Sequence, residues 1–399
     1  MTSRLASHPE GVQHTRQRAW KRSVVNEIPL HHVFTYKEVD RAFWSEHLED
    51  WVPARIIDAH VHVNDPRFQI ETMTEEMRRS SWVSEVSDKC DAETAERCAR
   101  ITFPNREFTY VAFGHVDLGW EIEGSNEWLR IEGIKRGWHT LVVTRPSWVA
   151  EQVDWWLKKP GVIGVKPYYT LIGYAKDWHT THLESSIFDF LPHHQLELLN
   201  DREAWVTLHV PRAERLGHPD NQREVREIRR RYPKIKLVIA HYGRCYTLPH
   251  AEEGIVPLAD DPGLYFDCSA CLNPDVHYLA LKHLGPERIL YGTDNPVFYM
   301  RGRRQWKGRT YINRTNYPFF FNKEREAPEI EAKYTLYMYE ALKAIRGACE
   351  KLGLGRDAVE RIFHGNAGCM IEDILAKKGE QPALQANREC SPNSPFEGG

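Results

Sequence analysis

The most constraining feature of this chain is a repeated alternation. Short apolar, β-branched runs are separated by longer amphipathic segments. The runs are Arg55–Val63, Thr109–Val116, His139–Arg145, Val162–Leu171, Ala204–Arg212, Ile235–Gly243, Leu264–Cys271 and Arg288–Val297. Several are nearly continuous hydrophobics, as parallel strands covered on both faces require. Helix-like spacing lies between them, over Trp148–Lys158, Ile187–Asn200, Asn221–Tyr232 and Pro274–Leu284. Alternating β and α predicts a parallel sheet. Eight such units predict an α/β fold closed as a (β/α)8 TIM barrel, with an open doubly wound sheet as the alternative. The 399 residues exceed the ~250 of a typical barrel, so additions are expected. Residues 1–50 read as an N-terminal extension packing on the barrel, 51–378 as the barrel with inserted βα loops, and 379–399 as a polar tail.

Several function classes are disfavoured. A net charge of −3 gives no field for nucleic acid. The basic stretch Arg223–Lys236 is interleaved with Glu224 and Glu227, as on a solvated helix face. No run approaches the ~20 apolar residues of a membrane span, and residues 1–30 lack the apolar core of a signal peptide. Among the cysteines, only Cys268 and Cys271 form C-x-x-C. On a strand their odd spacing sends them to opposite faces, and no second pair completes a zinc site. All eight thiols, Cys390 included, therefore read as structural, which suits a reducing cytoplasm. A small-molecule substrate is the expected partner, with no nucleic acid or membrane, and a homo-oligomer is compatible with the sequence.

Reactive side chains recur at the predicted strand ends. His60 and His62 close the first run as H-V-H, and residues i and i+2 of a strand face one way. Lys166, His209, His241 and Asp294 end the fourth, fifth, sixth and eighth runs. A barrel brings those ends to one mouth, where active sites of this fold are built. Neutral imidazoles with a carboxylate suit a borderline divalent cation: Zn2+ first, with Mn2+ or Fe2+ also accepted.

The ordered motifs I-I-D-A-H-V-H, G-V-K-P, L-H-V-P, A-H-Y-G, Y-G-T-D-N-P and H-G-N-A (His364–Ala367) resemble those of the amidohydrolase superfamily over residues 55–375. They look closest to the amidohydrolase-related branch, which includes aminocarboxymuconate-semialdehyde decarboxylase. Carried across, the resemblance implies one metal held by His60, His62, His209 and Asp294. It implies that His241 is a base beside them, or a ligand if a second metal is present. Lys166 has two family roles: carboxylated and bridging two metals, or unmodified and binding substrate. A buried salt bridge is its plainer reading.

The expected reaction is hydrolysis of an amide, ester, lactone or C–N bond in a small, anionic or aromatic substrate by a metal-activated water. Asp294 would shuttle the proton and His241 would polarise the carbonyl. Lys166, Arg212, Arg244 and Tyr168 would bind substrate, a role that suits the forked donors of arginine. The alternatives are non-oxidative decarboxylation of an aromatic or unsaturated acid at the same residues and, from another class, a non-catalytic ligand-binding barrel. Residues 64–108 and 298–330 leave strand C-termini and are candidate lids, the second carrying Arg301, Arg303, Arg304, Lys307 and Arg309. Trp120, Tyr169, Phe298, Tyr299 and Trp306 join Tyr168 as candidate pocket aromatics.

Overall fold

The computed structural model describes residues 27–31, 33–71, 74, 86–87, 89–173, 182–319, 322 and 325–380. Its central sheet has eight parallel strands: β1 Arg55–His62, β2 Glu107–Phe113, β3 His139–Val143, β4 Val162–Lys166, β5 Trp205–Leu208, β6 Lys236–Ile239, β7 Tyr265–Asp267 and β8 Ile289–Leu290. Each strand pairs with the next in chain order. The ends of the sheet then meet. Ala59 N donates to Tyr291 O at 2.9 Å, Asp294 N to His60 O at 2.8 Å and His62 N to Asn295 O at 2.9 Å. That closure makes the (β/α)8 barrel and disposes of the open-sheet alternative. Gly164 permits the approach of β4 to β5, since a Cβ there would lie 1.9 Å from Trp205 O.

The strands are shorter than the apolar runs. Lys166 is the last residue of β4, whereas His209, His241 and Asp294 stand beyond the ends of β5, β6 and β8. The backbone turns sharply there: His241, Tyr242, Ala270 and Asp294 all have positive φ, between 50° and 61°. The expected strand through Cys271 likewise stops at Asp267. Cys268 and Cys271 therefore lie past the strand, and opposite strand faces do not describe them; both are buried free thiols.

Helices cover the outside. The segment Pro274–Leu284 is helical as expected, with Asn273 accepting from Asp275 N at its start. The single helix expected over Ile187–Asn200 is two, Ile187–Phe190 and His193–Asp201. Pro192 separates them, because it has no N–H to continue the first ladder. In the lead-in, helix Glu38–His47 buries Trp44, whose ring lies 5.7 Å from those of Phe103 and Tyr339. Asp40, fully buried, accepts from both terminal nitrogens of Arg301 and from Thr335 Oγ1.

Part of the candidate lid 64–108 lies outside the described residues; its described portion includes helix Ala92–Thr102. Within 298–330 the chain forms a β-hairpin, Gly302–Lys307 (β9) against Thr310–Thr315 (β10), in unbroken register. Its two-residue turn begins at Gly308, with φ +56°. The hairpin reaches across loops that follow three barrel strands. Arg309 pairs with Glu214 at 2.7 Å and Glu253 at 2.5 Å, and Arg304 Nη1 donates to Ala270 O at 2.8 Å. Among the described residues no helix is long and apolar enough to cross a membrane.

Candidate metal centre and active site

His60 and His62 leave β1 on one side, as the two-residue period requires. Nε2 of each lies close to a single atom, Asp294 Oδ1, at 3.7 Å for His60 and 3.6 Å for His62. A tetrahedral cation bound at ~2.1 Å separates its ligands by about 3.4 Å, so these three donors fit one ion. Gly292 lets the chain after β8 come this near: a Cβ there would sit 2.9 Å from His60 Cβ and 3.2 Å from Ser269 Cβ.

Burial sets the charge of the site. His60, His62, His209 and His241 all have pKa values held well below the usual imidazole range, chiefly by desolvation. They are neutral, the form that binds metal. Desolvation raises the Asp294 carboxyl and lowers the Lys166 ammonium, while each charge favours the other. Lys166 is fully buried, with Nζ 3.4 Å from His60 Nε2 and 4.5 Å from the centre of the Phe113 ring. It therefore lies beside the candidate metal site and makes no ion pair within 4 Å among the described residues.

A residue that the sequence reading passed over organises this centre. Asp267, the last residue of β7, is fully buried. Its Oδ2 lies 2.8 Å from His60 Nδ1. Its Oδ1 accepts from His241 N at 2.9 Å, from Ser269 N at 3.2 Å and from Ser269 Oγ. The carboxylate fixes the proton on His60 Nδ1 and turns the Nε2 lone pair toward Asp294. His241 Nδ1 lies 2.8 Å from Ser269 Oγ, which leaves its Nε2 for the site. Asp58 of β1 braces the opposite seam, accepting from Thr293 Oγ1 at 2.5 Å and from Thr293 N at 2.9 Å. The sequence signal for Asp267 is an acid in the apolar run Leu264–Cys271, directly before Cys268.

The other expected residues divide. His209 stands beside the centre, its ring 5.3 Å from that of His241 and 4.8 Å from that of Tyr168. It is not within the His60–His62–Asp294 group, but its buried Nδ1 has no hydrogen-bond partner among the described residues. Arg244 donates from Nη1 to Arg212 O at 2.8 Å and meets no carboxylate within 4 Å among the described residues. Arg212 is placed differently from the expectation that it binds substrate. Its guanidinium is forked onto Glu224, at 2.9 and 3.1 Å, and held by Asn221 Oδ1 at 2.6 Å. A buried arginine so engaged anchors the loop after β5 rather than a ligand. Of the candidate aromatics, Tyr168 and Tyr169 flank His209, Trp120 stacks on His115, and Trp306 is partly exposed on the hairpin. Phe298 and Tyr299 are core side chains.

A family model described as "Amidohydrolase" matches residues 57–369. No curated protein shows significant sequence similarity to the chain. Among solved structures, an amidohydrolase from Burkholderia multivorans with bound zinc is similar at 11% identity and TM-score 0.50, covering 80% of this chain and 99% of that one. A 5-carboxyvanillate decarboxylase from Sphingomonas paucimobilis is similar at 14% identity and TM-score 0.46, with 80% and 99% covered. A dihydroxybenzoic acid decarboxylase from Polaromonas sp. JS666, with bound manganese and an inhibitor, is similar at 13% identity and TM-score 0.46, with 81% and 98% covered. At 11% identity the likeness to the zinc-bound amidohydrolase shows the fold alone. The family match runs from β1 into the last helix, Asn366–Lys378, and the chain belongs to the amidohydrolase family.

Proposed function

We propose that this protein is a metal-dependent hydrolase that cleaves an amide, ester, lactone or C–N bond of a small anionic, ring-bearing substrate. The observation that carries the reading is the convergence of His60 Nε2, His62 Nε2 and Asp294 Oδ1, with both imidazoles held neutral. These three, with His209 as the fourth, would hold one divalent cation, zinc by donor type. When bound, such an ion supplies an acidified water and a Lewis acid. Asp294 takes the proton from the attacking water and passes it to the leaving group. His241, whose Nδ1–H is donated to Ser269 Oγ because the Ser269 hydroxyl is itself given to Asp267, presents a bare Nε2 to the site and serves there as a base. Lys166, Arg244 and Tyr168 receive the anionic part of the substrate.

Lys166 also supports a second reading. A buried ammonium 3.4 Å from His60 Nε2 would hold a carboxylate at the centre itself, where decarboxylation would occur. The test combines elemental analysis with a panel of aryl amides, esters, lactones and aromatic acids, run in 18O-labelled water. The expected result is one metal per chain, lost in His60→Ala and Asp294→Ala, and label entering the product acid. Carbon dioxide release without label incorporation would assign the decarboxylase reading. A folded chain that neither binds zinc or manganese nor turns over the panel would overturn both.

A further inference from the structure

The rim of the barrel mouth carries two more arginines that pair with no carboxylate. Arg304, on the hairpin, is 7% exposed. It donates from Nε to Asn313 Oδ1 and from Nη1 to Ala270 O, both at 2.8 Å. Arg215, after β5, lies with Nη1 3.0 Å from His250 Nδ1. Among the described residues neither comes within 4 Å of an acid, and Nη2 of each has no protein acceptor. Glu214 and Glu253, the acidic side chains of this rim, pair with Arg309 at the hairpin tip instead.

Both guanidiniums sit over the same two rings. Arg215 Cζ is 5.5 Å from the centre of Tyr246 and 5.6 Å from that of Tyr311; Arg304 Cζ is 5.1 and 4.6 Å from them. Cation–π contact offsets part of the desolvation but brings no negative charge. Burial raises the Tyr246 hydroxyl, so that side chain stays neutral. Tyr246 is joined to the site described above: its N–H donates to Arg244 O at 3.0 Å, and the charge of Asp294 acts on its hydroxyl. Arg304 is buried and Arg215 half-buried, and a buried guanidinium without a counterion is costly unless an anion completes it.

We propose that Arg215 and Arg304, stacked on Tyr246 and Tyr311 and roofed by the hairpin, form a second anion subsite that takes a carboxylate of the substrate, which is therefore a dicarboxylate. The proposal rests on the reading that an anionic substrate enters this mouth, where Lys166 and Arg244 receive the other carboxylate. Forked N–H donors of arginine match a carboxylate, and the tyrosine faces hold the guanidinium planes in place. The hairpin supplies Arg304 and Tyr311 and the loops after β5 and β6 supply Arg215 and Tyr246, so selectivity for the second carboxylate needs both the barrel loops and the hairpin.

The test is calorimetric titration of the zinc-supplied protein with isophthalate, benzoate and inorganic phosphate. Isophthalate is expected to bind about ten- to a hundredfold more tightly than benzoate. Arg304→Gln and Arg215→Gln should each abolish that difference and leave benzoate binding unchanged. Arg303→Gln, on the same hairpin but paired outward with Glu326, should preserve it. Arg215 lies outside the hairpin, so its variant tests the subsite even if Arg304→Gln disorders β9 and β10. Equal binding of isophthalate and benzoate by the wild type, with zinc retained, overturns the subsite and leaves the metal reading standing. Tighter binding of phosphate than of isophthalate overturns the carboxylate assignment. Arginine-dependent isophthalate binding by a chain that holds no zinc upholds the subsite and overturns the metal reading.

Discussion

Replacing Asp267 with asparagine should weaken the metal centre without touching any of its direct ligands. The side chain keeps its size, so packing around a fully buried residue is preserved. One carboxylate oxygen becomes an NH2 group, and neither orientation suits the surroundings. With NH2 at the Oδ2 position, a donor faces His60 Nδ1 across 2.8 Å. The imidazole must then move its proton to Nε2, the nitrogen that faces Asp294. With NH2 at the Oδ1 position, it faces the N–H groups of His241 and Ser269, now 2.9 and 3.2 Å from an acceptor. Loss of such an orienting carboxylate costs about ten- to a hundredfold in metal affinity, or about 1.4–2.7 kcal/mol. Competition for Zn2+ against a chromophoric chelator at neutral pH measures it, with circular dichroism and a thermal melt in EDTA as controls for folding. A folded Asp267→Asn protein whose zinc affinity stays within about twofold of the wild type would refute the orienting role.

Three further outcomes are expected. His277 is buried, lies between Tyr242 OH and Cys271 O, and has its pKa lowered to about 4, chiefly by burial. The unfolded chain, near 6.5, takes this proton first as pH falls, so stability declines from pH 6.5 down to about 4. The loss at pH 5 is about 2 kcal/mol, and urea melts at pH 7 and pH 5 should show a smaller difference in His277→Gln. Arg301→Met would leave the fully buried Asp40 without its partner and should cost about 3–5 kcal/mol, read as a lowered denaturation midpoint; an unchanged midpoint would show the pair to be dispensable. Gly292→Ala drives a methyl to 2.9 Å from His60 Cβ. It should reduce zinc affinity more than Gly308→Ala at the open hairpin turn, despite the positive φ of Gly308; equal affinities would dismiss the tight seam.

The barrel is legible in the sequence because its strands are short and buried on both faces. The resulting pattern is a local property, repeated eight times, and connection rules leave few ways to arrange it. The H-V-H pair was readable for the same reason: strand periodicity alone puts His60 and His62 on one side. Other features depend on partners distant in sequence. Asp267 matters only because closure of the barrel brings the end of β7 against His60, 207 positions away. Sequence suggests a ligand-binding role for Arg212, but Glu224 and Asn221 of the following helix hold its guanidinium. The hairpin Gly302–Thr315 carries too many charges on its strands to read as sheet; the register across its Gly308 turn makes it one. Sequence periodicity thus determined the number and order of the barrel strands and which residue types stand at their ends. Tertiary structure alone decided which of those end groups share a point, because hydrogen bonds and desolvation depend on distances that closing the barrel creates.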